Sequence, residues 1–183
     1  GDTSSHSELP QAVPGFRPGV GGSAGDASGH PEAIVIDPGR AFGTGAHPTT
    51  RLTLELLQTL APASLLDVGC DSGVLSIAAA KLGFAPVMGI DVDDAAVEAT
   101  LANARVNGVD VAAQRLDALV DELPFADVAL ANIALDMVER VVPRLRSATV
   151  ITSGYLDRDR PEIAGRRHVD RREADGWAAD RKS

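Results

Sequence analysis

From Ala33 onward the apolar positions of the chain switch back and forth between two periods. Short apolar runs predict strands at "AIVID" (33–37), "SLLDVGC" (64–70), "PVMGIDV" (86–92), "VDVAAQRL" (109–116), "ADVALANI" (126–133) and "ATVITSGY" (148–155). Between them lie helical segments. In "PTTRLTLELLQTL" (48–60), Leu52, Leu56 and Leu60 fall four apart with Leu57 beside them, and Pro48 suits a first turn. "GVLSIAAAKLG" (73–83) is a helix with a glycine stop. "AAVEATLANARVNG" (95–108) puts Val97, Leu101 and Ala104 on one face and ends at Asn107-Gly108, and "ALDMVERVVPRL" (134–145) is a further helix. The end of the chain, "RRHVDRREADGWAADR" (166–181), reads as two strands around a turn at Asp175-Gly176.

Strands that alternate with helices of this length imply βαβ units, and so an α/β, doubly wound and mostly parallel sheet covered on both faces. Uncharged runs such as "VALA" suit strands buried on both faces. The terminal hairpin adds an antiparallel edge, where its charges oppose edge-to-edge pairing with another chain. Residues 1–32 differ: seven Gly and four Pro surround only Leu9, Val13, Phe16 and Val20 as large apolar groups. Such a segment buries too little surface to offset its ordering entropy. The chain is therefore expected to be a flexible arm, 1–32, followed by one domain, 33–183.

Composition narrows the functional classes. A hydrophobic content of 44% excludes general disorder, and there is no apolar run long enough for a membrane-spanning helix. The N-terminus lacks the basic and apolar blocks of a signal peptide. Cys70, the one cysteine, excludes an internal disulfide and fits a reducing compartment, with cytoplasm as the expected location. The net charge of −9 disfavours nucleic acid as a main partner. Residues 158–183 carry +2, which leaves −11 on residues 1–157. An acidic body of that kind keeps a protein soluble, and it also steers basic protein substrates.

Four groups of residues fall where a doubly wound sheet binds its ligand, beyond the C-terminal ends of the strands. The first is "DVGCDSG" (67–73), a strand–turn–helix junction with Gly69 for a tight turn and Gly73 for close packing, but with Asp71 where a middle glycine would let backbone approach a ligand. If position 71 needs a positive φ, a non-glycine residue there costs roughly 1 kcal/mol. The second is Asp91, which ends the next strand 22 residues after Gly69, as an acceptor for ribose hydroxyls. Asp93 and Asp94 read as caps of the following helix. The third is "AFGTGAHPTTR" (41–51): Gly43 and Gly45 bracket Thr44, His47 reads as a capping or loop-packing group, and Thr50 offers a hydroxyl from a first helical turn. The fourth is Asn132 in "LANIAL", which either caps the next helix or presents its carbonyl to a substrate amine.

Together "IDPGRAFGTGAHPTTR", "LLDVGCDSGVLSIAAAKLG", "GIDVDDAAVEATLANARVNGV" and "ADVALANI" resemble the PrmA family, methyltransferases that modify a large-subunit ribosomal protein of the stalk base. The resemblance runs from about Ile34 to Tyr155. It implies a Rossmann-like fold, a seven-stranded sheet with an antiparallel last strand, and S-adenosyl-L-methionine as cofactor. It implies cofactor contacts for Thr50, Gly69, Asp91 and Asn132. Asp71 and Gly73 are expected at the cofactor as members of the same turn as Gly69, and Asp71 departs from the family pattern there. Asn132, Phe42 and Thr44 would border the methyl-transfer site. A neutral protein amine would attack the methyl group in line, with no metal, no covalent nucleophile and hence no catalytic part for Cys70.

The family also has an N-terminal substrate-recognition domain, where this sequence has its Gly/Pro arm. That leaves open another substrate, a recognition surface supplied by a partner, or a shortened chain. Two competing functions share parts of the pattern. A nicotinamide-dependent oxidoreductase would use the same glycine turn and Asp91, but G-x-G-x-x-G needs glycine at 71 and 74, where Asp and Val stand. A non-catalytic scaffold of the same fold accords with Asp71 but gives no reason for both "AFGTGAHPTT" and "ANI".

Overall fold

The structure is a computed structural model, and it describes residues 47–183. The arm 1–32, the strand expected at 33–37, and Phe42 and Thr44 lie outside the described residues. In chain order the elements are α1 (Pro48–Leu57), β1 (Leu65–Val68), α2 (Val74–Lys81), β2 (Val87–Asp91), α3 (Asp94–Val106), β3 (Ala112–Arg115), β4 (Val128–Asn132), α4 (Leu135–Val141), β5 (Thr149–Leu156), β6 (His168–Ala174) and β7 (Trp177–Lys182). A 3-10 turn, Val142–Arg144, follows α4. The helix expected over 134–145 changes character there because Pro143 has no N–H with which to continue the ladder.

The seven strands among the described residues form one sheet in the order β3-β2-β1-β4-β5-β7-β6. The first five pair in parallel, and β7 inserts antiparallel between β5 and β6. The chain moves outward from β1 through β2 to β3, then returns to the other side of β1 as β4. The direction of winding therefore reverses between β1 and β4, which opens a crevice at their C-terminal ends.

Alternation along the strands divides the core into two layers. Leu65, Leu130 and Ile151 pack with Leu52, Leu56 and Leu57 of α1 and with Leu75 and Ile77 of α2. Their neighbours Leu66, Ala129, Ala131 and Val150 face the other way, onto Val138 and Val141 of α4. Helices thus cover both faces, as a mostly parallel sheet requires.

The buried face of α3 differs from the expected one. Ala96, Ala99, Thr100, Asn103 and Ala104 are buried, whereas Val97 and Leu101 are only half-buried. Side-chain size misleads here because the buried stripe includes polar groups that bind the turn after β1. Asn103 Nδ2 donates to the Ser72 carbonyl at 2.8 Å, and the Thr100 hydroxyl to the Asp71 carbonyl at 3.1 Å.

The C-terminal hairpin turns at Asp175 and Gly176, both with positive φ (+53° and +80°), the conformation of a two-residue hairpin turn. Its core is polar. The carboxylate of Asp180, 1% exposed, accepts from the Tyr155 hydroxyl at 2.7 Å and from Arg171 at 2.9 Å. The same hairpin seats α1: the His47 ring meets Trp177 edge-on at 4.7 Å, and Arg51 pairs with Asp175 at 3.0 Å.

Gly154 breaks the pairing register of β5 with β7 and brings β5 against the residue after β4. Its φ is +103°, and a Cβ there would lie 2.1 Å from the Ile133 carbonyl oxygen. Relief requires backbone movement, so Gly154→Ala is expected to lower unfolding free energy by about 3 kcal/mol. Urea unfolding monitored at Trp177 measures this. A loss below about 0.5 kcal/mol would show that the contact relaxes without cost.

Candidate functional site

The turn after β1 is built by main-chain hydrogen bonds. The Ile90 carbonyl at the end of β2 accepts from Gly69 N at 2.8 Å and Cys70 N at 3.0 Å. Gly73 N then closes onto the Cys70 carbonyl at 2.8 Å and starts α2. Asp71 has φ +50°, so the condition attached to a non-glycine residue there is met. Protein contacts hold it in that conformation: its N–H donates to Asp91 Oδ2 at 3.2 Å, and its carbonyl accepts from Thr100. The strain of about 1 kcal/mol is therefore a charge on folding rather than on ligand binding.

Beyond the C-terminal ends of β1, β2 and β4 lies a cavity of about 410 Å³. Of the residues singled out in the sequence, Thr50, Gly69, Asp71, Asp91 and Asn132 line it together. Gly73 does not. Its missing side chain serves packing, since a Cβ would fall 2.9 Å from Thr100 Cα on α3, so the close approach is helix to helix rather than helix to sheet. Asn132 is not a helix cap: α4 begins after Ala134 with no side-chain cap, and the Asn132 side chain forms no hydrogen bond with another described residue. Asp93 does cap α3, accepting from Ala95 N at 2.9 Å. His47 caps α1, accepting from Thr49 N at 3.3 Å, and stays outside the cavity wall.

Several lining residues escaped the sequence reading. Leu116, Asp117 and Ala118 follow β3 and close one side of the cavity, with Val92 beside them. Their signal was the acid after the strand in "RLDAL", placed as Asp91 is after β2. The loop that bears them is tied down from below: Arg144 donates to the carbonyls of Ala118 and Asp121, and Arg146 to that of Leu123 at 3.1 Å. Met137 and Val141 of α4 complete an apolar wall. No group of three or more His, Cys, Asp or Glu suited to a metal ion occurs among the described residues. No helix there is long and apolar enough to cross a membrane.

Comparison with known proteins places this geometry. The family described as "Ribosomal protein L11 methyltransferase (PrmA)" matches residues 24–178. The ribosomal protein L11 methyltransferase of Bordetella parapertussis is 42% identical over 157 residues, 80% of this chain and 50% of that protein. The Vibrio campbellii protein of the same name is 40% identical over 142 residues, 72% of this chain and 47% of its own length. The chain thus spans about half the length of the curated relatives it matches. Among solved structures, the ribosomal protein L11 methylase of Lactobacillus delbrueckii subsp. bulgaricus superposes with TM-score 0.74 at 31% identity, covering 88% of this chain and 90% of that one. A Pyrococcus abyssi tRNA (uracil-54, C5)-methyltransferase in complex with S-adenosyl-L-homocysteine shares the fold, with TM-score 0.61 at 18% identity over 81% of this chain and 41% of that one.

Burial dominates the electrostatics beneath the cavity. The Cys70 thiol is pushed up to about 12, first by burial and then by the Asp67 charge, which makes it inert as a nucleophile at neutral pH. Asp67 sits at 1% exposure with its carboxylate accepting from Ser76 Oγ at 2.6 Å. Desolvation raises its pKa to about 6 against the donated hydrogen bond, from 3.8 for the free side chain. The folded state therefore holds this proton more tightly than the unfolded state. Its stabilising effect is complete below about pH 4 and is lost as pH rises through about 6. Over that interval Asp67 is expected to withdraw about 3 kcal/mol of stability, and Asp67→Asn to flatten that part of the pH profile. Denaturant melts of parent and variant at pH 4.5 and 7.5 test this. Identical slopes in the two proteins would assign the proton elsewhere.

Proposed function

The chain belongs to the ribosomal protein L11 methyltransferase (PrmA) family, and from that premise we propose that it is an S-adenosylmethionine-dependent methyltransferase acting on a protein amine. The observation that carries the reading is the meeting of Thr50, Gly69, Asp91 and Asn132, from four separate elements or turns, on one cavity at the point where the sheet reverses. Under this reading residues 33–183 form the methyltransferase domain, preceded by the arm 1–32, and the reaction takes place in the cytoplasm.

The residues present fit the cofactor. A cavity of about 410 Å³ is of the size that holds a nucleoside-bearing ligand. Each Asp91 oxygen accepts one main-chain N–H, Oδ2 from Asp71 and Oδ1 from Asp93 at 3.0 Å, and keeps a second lone pair for a ribose hydroxyl. Val92, Leu116 and Ala118 offer an apolar slot for a purine ring, and Asp117 a polar acceptor at its rim.

When bound, S-adenosylmethionine supplies a methyl group on a sulfonium sulfur. The chain's own contribution is to position and to exclude water. Asn132 presents a neutral carbonyl that orients an amine without raising its pKa as a carboxylate would. Thr50 contributes a hydroxyl from the first turn of α1, held in place by the hairpin contacts of His47 and Arg51. Phe42 and Thr44 border the transfer site in this reading. Ribosomal protein L11, named in the relatives, is the first acceptor to test, and a basic ribosomal protein would complement the acidic body of the chain. Nucleic acid has no main role here.

Calorimetric titration is expected to give micromolar binding of S-adenosylmethionine. Asp91→Ala should weaken it at least about tenfold, because hydrogen bonds to a charged acceptor are worth about 1.5–3 kcal/mol. Transfer of labelled methyl to a lysine amine should rise about tenfold per pH unit below the amine's pKa, since only the unprotonated amine attacks. Absence of cofactor binding by the parent protein would overturn the reading. Binding without transfer to any ribosomal protein would favour a scaffold of methyltransferase fold.

A further inference from the structure

Four carboxylate side chains, Asp67, Asp71, Asp91 and Asp117, line the cavity, and no Lys, Arg or His is among the described residues that do. Arg115 lines a smaller hollow next to it, where it pairs with Asp94 at 3.5 Å and donates to the Val92 carbonyl. Three of the four acids have assigned work. Asp67 is bonded to Ser76, Asp91 ties two turns together, and Asp117 accepts from Leu119 N at 2.9 Å and shapes its own loop. The Asp71 side chain, in contrast, forms no hydrogen bond with another described residue, although its main chain is fixed at φ +50°. It stands among like charges, partly buried, and its pKa is raised by that burial and then by Asp91 and Asp93. A positive charge in the cavity would relieve this repulsion.

We propose that Asp71 is a charge-selecting residue that makes the site prefer the cationic methyl donor over its neutral product. The inference rests on the cofactor reading above. In transfer, the amine nitrogen forms a bond to the methyl carbon, and the carbon–sulfur bond breaks with its electron pair returning to sulfur. The methylated ammonium then releases a proton to water. S-adenosylmethionine, net +1, thereby becomes S-adenosylhomocysteine, net zero. The two ligands share the same carboxylate and ammonium groups, so any effect of Asp71 on those cancels when their affinities are compared. Only the sulfonium charge and one methyl group differ. The sign is then fixed: a carboxylate at position 71 favours donor over product.

The test is calorimetric titration of both ligands into the parent, Asp71→Asn and Asp71→Gly proteins at pH 8, in low and in 0.5 M salt. Asparagine keeps the size of the side chain and tolerates a positive φ, so it removes charge without rebuilding the turn. The ratio of donor to product affinity is expected to fall about five- to tenfold in Asp71→Asn and in Asp71→Gly. In the parent it should shrink with salt, and in the variants stay nearly flat. An unchanged ratio in both variants, with both ligands still bound, overturns the selector and leaves the cofactor reading intact. If neither ligand binds the parent, the cofactor reading fails and this inference falls with it.

Discussion

A single carboxylate holds the two loops of the site in register. Asp91 ends β2, and its oxygens accept from the main chain of the turn after β1 at Asp71 and of the turn after β2 at Asp93. It is the one side chain at the cavity that accepts from both of these adjacent βα turns among the described residues. The Ile90 carbonyl beside it accepts twice more from the first turn, at Gly69 and Cys70. The end of β2 thus serves as the anchor on which the start of α2 and the start of α3 are both mounted. Hydrogen bonds to an ionised acceptor are the strong ones, so one acid placed at a strand end can carry this load.

The remaining walls depend on parts of the chain remote from that anchor. Thr50 reaches the cavity because α1 packs on the same face of the sheet as α2 and is pinned at its N-terminus by Trp177 and Asp175 of the C-terminal hairpin. The hairpin is itself fixed by the buried Asp180, shared between Tyr155 of β5 and Arg171 of β6. Burial and the neighbouring Asp180 hold the Tyr155 hydroxyl well above its usual range, so it remains a donor. Asn132 owes its place to Gly154, whose lack of a side chain lets β5 approach the Ile133 carbonyl. Residues from 47 to 182 are therefore coupled through packing to a cavity about one ligand wide.

The family departure at position 71 shows how strain and charge separate. Backbone strain at Asp71 is met by bonds inside the protein and belongs to the stability of the fold. Charge acts across the cavity and belongs to the ligand. A sequence comparison records both as one changed letter. Physically they have different signs, different salt dependence and different partners.

Much of this molecule was legible in its sequence because the signals were local. Apolar period gave the strands and helices from 48 to 181, Asp175-Gly176 gave the hairpin turn, and the spacing of Gly69 and Asp91 gave two strand ends on one crevice. Other features depend on contacts distant along the chain, which no local pattern records. The buried face of α3 runs through Thr100 and Asn103 rather than Val97 and Leu101, because those polar groups satisfy carbonyls of the turn at 71 and 72. Gly73 proved to be a packing residue against α3, and Asp117 and Ala118 joined the cavity through a loop held by Arg144. Sequence alone determined which segments form strands and which turns need glycine or an acid, since these follow from backbone sterics and side-chain period. Only the tertiary structure decided which acids share a cavity, because charges interact through space, and the distances between them are set by the sheet order.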